Sequence, residues 1–475
     1  MSYNLLKKKW IPVLYRNGQF DRVGIIKALQ EAHQIRQIAA SNPMDRFAIT
    51  RFLLAILYWC KGNPSDIFAM NIHAFPAEWF SKLEEKENLD CFNLLGNEKR
   101  FYQDANAKRS RPTTDLYQEI PTGNNFWHFR HTTDLQEGLC APCCAIGLLR
   151  LPLFMTFGGN TKPYLYPGIN GVPPIYVLTM GNSLFEILHK NWIPHAVPFG
   201  EPSWIDLNFN TNDNTEIPLL KGLTMLARRV WLAETESHQT CYNCGVKSDT
   251  IIRGCEFQSP GKQETALWRD PHALFLDITS QKSIKTPDPV SAGKFKMDRP
   301  LWKLLAPVIE TANTIDPTPT TIAIIGLATD NAKYIDVWER IVELPSNNSV
   351  PEAVVAVVEQ WQKETSNNEL VKRLPKVMRA NRKLNYLKAT YDSIRPHVEH
   401  TVSANVGNLL SGGETEWQNA ASEYRPMQEI IAKSLAPGTT LSATIRRKCI
   451  ANAVPNMRAK QNPPEKTKRR KSGAE

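Results

Sequence analysis

The chain has 475 residues, too many for one ordinary hydrophobic core, so two domains are expected. Its 42% hydrophobic and 22% charged residues are ordinary for a globular protein, and no window approaches the ~20 apolar residues of a membrane span. The formal net charge of +10 favours a polyanionic partner, but over so long a chain it does not by itself specify nucleic acid.

In chain order, Lys7, Lys8 and Lys9 are followed by no apolar stretch of the secretory type. Trp10 to Tyr15 then reads as a strand, Asn17-Gly18 as a turn and Phe20 to Val23 as the returning strand. Asp45 to Cys60 is helical, with Phe47, Leu54 and Tyr58 on one stripe and Pro43 just before it. Residues 61–125 are mixed. Phe126 to Gly138 reads as a long loop, and Cys140 to Leu151 is small, apolar and expected to be buried. Residues 156–174, rich in Gly, Pro and Asn, form another loop. Leu219 to Ala233 reads as helical or mixed and buried, and 280–300 as a Pro/Lys/Ser-rich connector.

Beyond Pro351 apolar positions recur at helical spacing, as in Val354, Val357, Val358 and Trp361. The expected fold class is therefore α+β. A large mixed α/β domain spans 1–345, a helical bundle of four helices spans 352–458, and a basic, disordered tail spans 459–475.

The sequence carries no phosphate-cradling loop, no dinucleotide fingerprint, no H-E-x-x-H and no G-x-S-x-G, which lowers the expectation of an NTPase, dehydrogenase or hydrolase. The sharpest local pattern is Cys241-x2-Cys244, with His238 before it and Cys255 beyond. Zinc takes four soft or imidazole ligands in a tetrahedron, a C-x2-C turn supplies two, and Gly245 suits that turn. A structural Zn2+ on His238, Cys241, Cys244 and Cys255 is the expected cofactor, with Cys255 returning at the end of a hairpin from Thr250. The alternative is a cysteine-bearing hairpin without metal. Cys140, Cys143 and Cys144, set among Leu139, Ala145 and Ile146, read instead as buried small thiols. Nine cysteines, six of them in these two clusters, suit a reducing, cytoplasmic setting rather than disulfides.

Basic and aromatic features supply the other candidates. After Pro375, Lys376, Arg379 and Lys383 flank an apolar helical stripe, Arg382 widens the basic side, and Arg446, Arg447 and Lys448 add a second cluster. Such a helix either tracks a phosphate backbone or presents a solvated face. Phe126 to His131 interleaves aromatic rings, imidazoles and an arginine, a composition that suits gripping nucleic acid or building a buried aromatic cluster.

Several segments, in order, carry a resemblance to a family. Asn4-Leu5-Leu6 followed by Trp10-Ile11-Pro12-Val13 resembles the opening of the CasA large subunit of the type I-E CRISPR Cascade complex. Gln136 to Ile146 is similar to that family's G-E-A-L-C-x-x-C-x-A-I. Phe157-Gly158-Gly159 with Gly171-Val172-Pro173 resembles its glycine loop, and Leu267-Trp268-Arg269-Asp270-Pro271-His272 resembles its L-W-x-x-P-H.

The resemblance implies a non-catalytic subunit that recognises the protospacer-adjacent motif in double-stranded DNA, helps to open the strands and recruits a helicase-nuclease. The implied partners are the CRISPR RNA guide, the other Cascade subunits, target DNA and that nuclease, with no membrane. Phe129, Arg130 and His131 stand where the family carries F-V-N, so its Val-Asn pair has become Arg-His here. Gly158 and Gly159 match the glycine loop, and Asn160 replaces a third glycine. Lys262 is nearest to a family lysine that enters the minor groove, at a different spacing. The strand-separating wedge falls after Gly326, with Asn331 and Lys333 as its candidates and the family's glutamine not retained. His238, Cys241, Cys244 and Cys255 fall where some members carry a zinc knuckle. Two rival readings are a stand-alone zinc- or cysteine-dependent nucleic-acid enzyme and a zinc-bearing RNA-binding assembly protein.

Overall fold

The computed structural model divides the chain into two units, Met1–Lys296 with Pro307–Glu343, and Met297–Ala306 with Leu344–Glu475. The described residues are those of 3–343 except 65–71, 97–98, 121–137, 156–172, 196–197, 208–216, 227, 234–238, 259–269, 275–307, 309–310, 313, 317–320 and 331–332. They all belong to the first unit, which is mixed α/β. The expected bundle, with Lys376, Arg379, Arg382, Lys383, Arg446, Arg447 and Lys448, and the expected tail lie outside them.

The unit opens as the sequence predicts. β1 (Ile11–Tyr15) pairs antiparallel with β2 (Phe20–Val23), in register Ile11↔Val23 to Leu14↔Phe20. Asn17-Gly18 makes the turn: Gly18 takes φ +86°, a region that favours glycine, and the Asn17 side chain accepts from Gln19 N at 2.9 Å. After α1 (Ile25–Gln30), β3 (Ile35–Ile38) pairs with the other edge of β1.

α2 (Pro43–Lys61) is the spine of the unit. Asn42 caps it by accepting from Met44 N at 2.9 Å, and Pro43 occupies the first turn, where its missing N–H costs nothing. The expected stripe of Phe47, Leu54 and Tyr58 is only part of what it buries. Every residue from Met44 to Trp59 except Arg46 is buried, so the helix is packed all round. Phe52 gathers Trp10, Phe101, Tyr102 and Trp204 at centroid distances of 5.3 to 6.4 Å. The polar positions that make the helix look amphipathic are satisfied inside the core. Arg51 pairs with Asp270 at 2.6 Å, and Thr50 donates to Arg46 O at 2.8 Å.

A short α3 (Lys86–Leu89) and β4 (Ser110–Pro112) lead to β5 (Leu139–Cys140) and α4 (Ala141–Phe154), which packs on α2. All of α4 but Pro142 is buried, as expected for this apolar run. Its one cation, Arg150, reaches Glu119 at 2.6 Å and Asp45 at 3.3 Å. β6 (Tyr176–Thr179), α5 (Leu184–Asn191), α6 (Leu219–Thr224) and β7 (Arg229–Leu232) follow, so the stretch expected to be helical or mixed contains one helix and one strand.

Next come β8 (Gln239–Thr240), β9 (Lys247–Ser248), β10 (Ile251–Ile252) and β11 (Gly254–Gln258). The hairpin expected over Thr250 to Cys255 does not form. β10 pairs with β5, whereas β11 sits between β4 and β7. Only Arg253 separates the two strands, too little chain for them to fold back on each other, and each finds a distant partner. β12 (Thr321–Asp330) and β13 (Lys333–Glu343) form a long antiparallel hairpin, with β6 on the outer edge of β12. Among the described residues no helix is long and apolar enough to cross a membrane.

Candidate metal centre

Two C-x2-C turns meet in this fold. Cys140 ends β5 and caps α4, and Cys143 lies in the first helical turn. Cys241 and Cys244 lie in the turn between β8 and β9, whose pairing Thr240↔Lys247 closes the knuckle. Within it Cys241 N donates to Val246 O and Gly245 N to Cys241 O, both at 2.9 Å. Gly245 takes φ +70°, and nothing lies within 4 Å of where its Cβ would be, so backbone conformation rather than space favours glycine there.

Two contacts dock the knuckle on the helix. Tyr242 N donates to Gly138 O at 3.1 Å, and Cys140 N donates to the Cys241 sulfur at 3.3 Å. The β5–β10 pairing, Ile251↔Cys140, fixes the same approach from behind.

The result is four sulfurs within 4.8 Å of one another. Cys140 and Cys244 are 104 residues apart in sequence, yet their sulfurs are 3.8 Å apart. Zn–S bonds of about 2.3 Å place tetrahedral sulfurs about 3.8 Å apart, so the donor set and its spacing fit a structural zinc or a similar soft cation. Asn243 adds a hydrogen bond to the Cys143 sulfur at 3.5 Å, an outer contact of the kind that orients metal ligands.

The electrostatics agree with a site that carries thiolates. Hydrogen bonds from Cys140 and Cys143 hold Cys241 down to about 6, and the same two thiols pull Cys244 below the ordinary range. Cys143 is raised by its hydrogen bonds to Cys140, Cys241 and Cys244. At Cys140 the bond to Cys143 lowers the pKa, but those to Cys241 and Cys244 outweigh it. Burial works against the charge of Arg22, on β2, but hydrogen bonding to Cys244 and the field of Cys140 and Cys143 hold its pKa above the usual value. A cation beside the sulfurs balances the net negative charge that four thiolates leave around a divalent metal.

This set differs from the expected one. Cys241 and Cys244 are ligand candidates as predicted, but Cys255 is not. It is buried on β11, where its thiol faces Pro112 O at 3.9 Å and burial pushes its pKa to about 12. Cys140 and Cys143, expected to be plain buried thiols, take the remaining positions. Cys144 alone of that cluster keeps the expected role, buried and facing Leu139 O. The C-x2-C spacing of Cys140 and Cys143 was visible in the sequence, but the apolar neighbours favoured buried thiols; the pair stands at a helix start, where N–H groups favour thiolates.

His238, Phe129, Arg130, His131, Gly158, Gly159, Asn160, Lys262 and Asn331 lie outside the described residues. Lys333 opens β13, its backbone paired with Asp330 at the end of the hairpin.

Fold and site together define a class: a large mixed α/β protein with a long β-hairpin, in which two distant C-x2-C turns join in one four-thiol centre. The sequence model of the family described as CRISPR-associated protein Cse1 matches residues 4–436, and the chain belongs to that family. A CRISPR-associated protein CasA/Cse1 from Thermus thermophilus is 26% identical over 388 residues, covering 74% of this chain and 73% of that protein. The solved Thermus thermophilus CasA (Cse1) superposes with a TM-score of 0.67 at 20% identity, over 96% of this chain and 97% of its own. A chain of a CRISPR RNA-guided surveillance complex superposes with a TM-score of 0.65 at 14% identity, over 97% and 98%. These two share its fold.

Proposed function

We propose that the chain is the non-catalytic large subunit of a Cascade-type, RNA-guided surveillance complex that recognises a short motif in duplex DNA beside the guide-matched sequence. The observation that carries this reading is membership of the Cse1 family over residues 4–436. The four-cysteine centre supports it from the geometry. Gly138, held by Tyr242 of the knuckle, follows the segment that bears Phe129, Arg130 and His131, so a metal at the centre would anchor one end of that segment.

In this reading Phe129–His131 and the loop of Gly158, Gly159 and Asn160 meet the motif, the glycines letting backbone approach a groove. Lys262 adds a minor-groove contact. The β12–β13 hairpin, with Asn331 and Lys333 at its end, starts strand opening. The cations from Lys376 to Lys383 and Arg446 to Lys448 hold phosphates, and a helicase-nuclease is recruited to the opened target. Guide pairing reads most of the sequence, so the subunit itself needs no catalytic group. The cofactor is a structural zinc on Cys140, Cys143, Cys241 and Cys244.

The test is binding of the assembled complex to guide-matched duplexes that differ only in the motif. Replacing Gly158 and Gly159 with bulky residues should abolish discrimination while assembly survives, each lost direct contact being worth about 1–3 kcal/mol. Variants that discriminate as well as the parent would refute this motif site. Turnover of nucleic acid by the isolated chain would favour the enzyme reading instead.

A further inference from the structure

The β12–β13 hairpin is held along its length by contacts that strand pairing does not require. β6 covers β12 only from Ile322 to Ile325, so beyond Gly326 the hairpin continues as a two-stranded ribbon. Its register shifts between Ala328 and Thr329, leaving Ile335 as an extra residue on β13. That bulge returns Tyr334 to the face shared by Val337 and Glu339. Tyr334 and Val337 pack against the core, and Leu327, opposite Val337, is fully buried.

On the same face Glu339 accepts from Arg46 of α2 at 2.5 Å, both side chains being partly buried. Arg46 also donates to Ala40 O at 2.7 Å and Ser41 O at 3.0 Å, so its guanidinium is fixed to the N-terminal end of the spine helix. On the opposite face Trp338 lies across Gly326, so closely that a Cβ there would come within 2.4 Å of the indole. A bare two-stranded ribbon is only marginally stable and twists freely. Here Glu339, opposite Ile325, and Trp338, opposite Gly326, stand at the root of the ribbon, where the ion pair on one face and the indole on the other fix the direction in which it leaves the three-stranded sheet.

We infer that the Arg46–Glu339 pair, with Trp338 packed on Gly326, is a brace that sets the angle of the β12–β13 hairpin, and that these are positioning residues for strand opening. The inference rests on the strand-opening role proposed above for the end of the hairpin. A ribbon free to swing disperses its end over many directions, while a braced one presents it in one. Losing the brace therefore slows opening and leaves docking on DNA unaffected.

The experiment uses the assembled guide complex and a guide-matched duplex with 2-aminopurine at the first base pair beside the motif. The fluorescence rise reads opening, and binding to the same duplex pre-opened by mismatches reads docking. Glu339→Gln keeps the Arg46 backbone contacts and should slow opening by roughly three- to tenfold, with binding to the pre-opened duplex within about twofold of the parent. Glu343→Gln, an exposed carboxylate on the same strand, should open at the parent rate. Glu339→Arg should be slower still, and adding Arg46→Glu should recover at least about half of that loss, because the pair is restored with its charges exchanged. Opening by Glu339→Gln at the parent rate, or a double variant no faster than Glu339→Arg alone, would overturn the inference. Failure of the parent complex to open motif-bearing duplex would instead refute the strand-opening role, and the brace with it.

Discussion

Replacing Cys140, Cys143, Cys241 or Cys244 with serine takes one thiolate from a set of four, whereas replacing Cys144 or Cys255 removes a buried thiol that faces a backbone carbonyl. Metal analysis of protein purified without chelator separates the two groups. Each of the first four variants should fall from about one zinc per chain to below about half, and the last two should keep theirs. A Cys255→Ser protein without zinc would restore the ligand set expected from sequence. His272 makes a second residue-scale prediction. Burial is the main cause that lowers its pKa, to about 3, beside Asp270 and Arg51 and near His195. An unfolded histidine titrates near 6.5, so between 6.5 and 3 the unfolded chain takes up a proton that the folded chain refuses. Stability present above pH 6.5 is therefore lost as the pH falls, by about 2 kcal/mol at pH 5. His272→Gln should show a smaller drop in Tm between pH 7 and pH 5 than the parent.

At the scale of elements, local chemistry explains which parts were legible in the sequence. The β1–β2 hairpin was readable because Asn17-Gly18 specifies its own turn, and α2 because Pro43 and its apolar periodicity mark it. The hairpin expected from Thr250 to Cys255 was misread because strand propensity says nothing about partners. β10 and β11 answer to β5 and to β4 and β7, more than a hundred residues away in the case of β5 and β4. Gly326 yields a prediction of the same kind, since its reason to be glycine is Trp338, on the other strand. Gly326→Ala should lower stability by about 1–3 kcal/mol through overpacking. In Trp338→Ala the added methyl has room, so the double variant should lose less than the sum of the singles in a denaturant titration.

For the whole molecule, the excess of positive charge takes on meaning from family membership and the proposed DNA partner. Reversing Lys376, Arg379 and Lys383 to glutamate should weaken DNA binding by the assembled complex about equally for all sequences. The salt dependence should also flatten, by about one slope unit per lost phosphate contact. An unchanged slope would make this a solvated helix face. Sequence by itself determined the family, through short motifs in a fixed order, because such motifs survive where a turn or a backbone approach tolerates few residue types. It also determined the local elements whose signals are near neighbours in the chain. The tertiary structure alone decided which four thiols meet. Cys143 and Cys144 are adjacent in sequence, but the β5–β10 pairing and the start of α4 turn Cys143 toward the knuckle and leave Cys144 in the core. The spacing of cysteines along a chain records which pairs can share a turn, and only the packing of strands from distant segments determines which pairs meet.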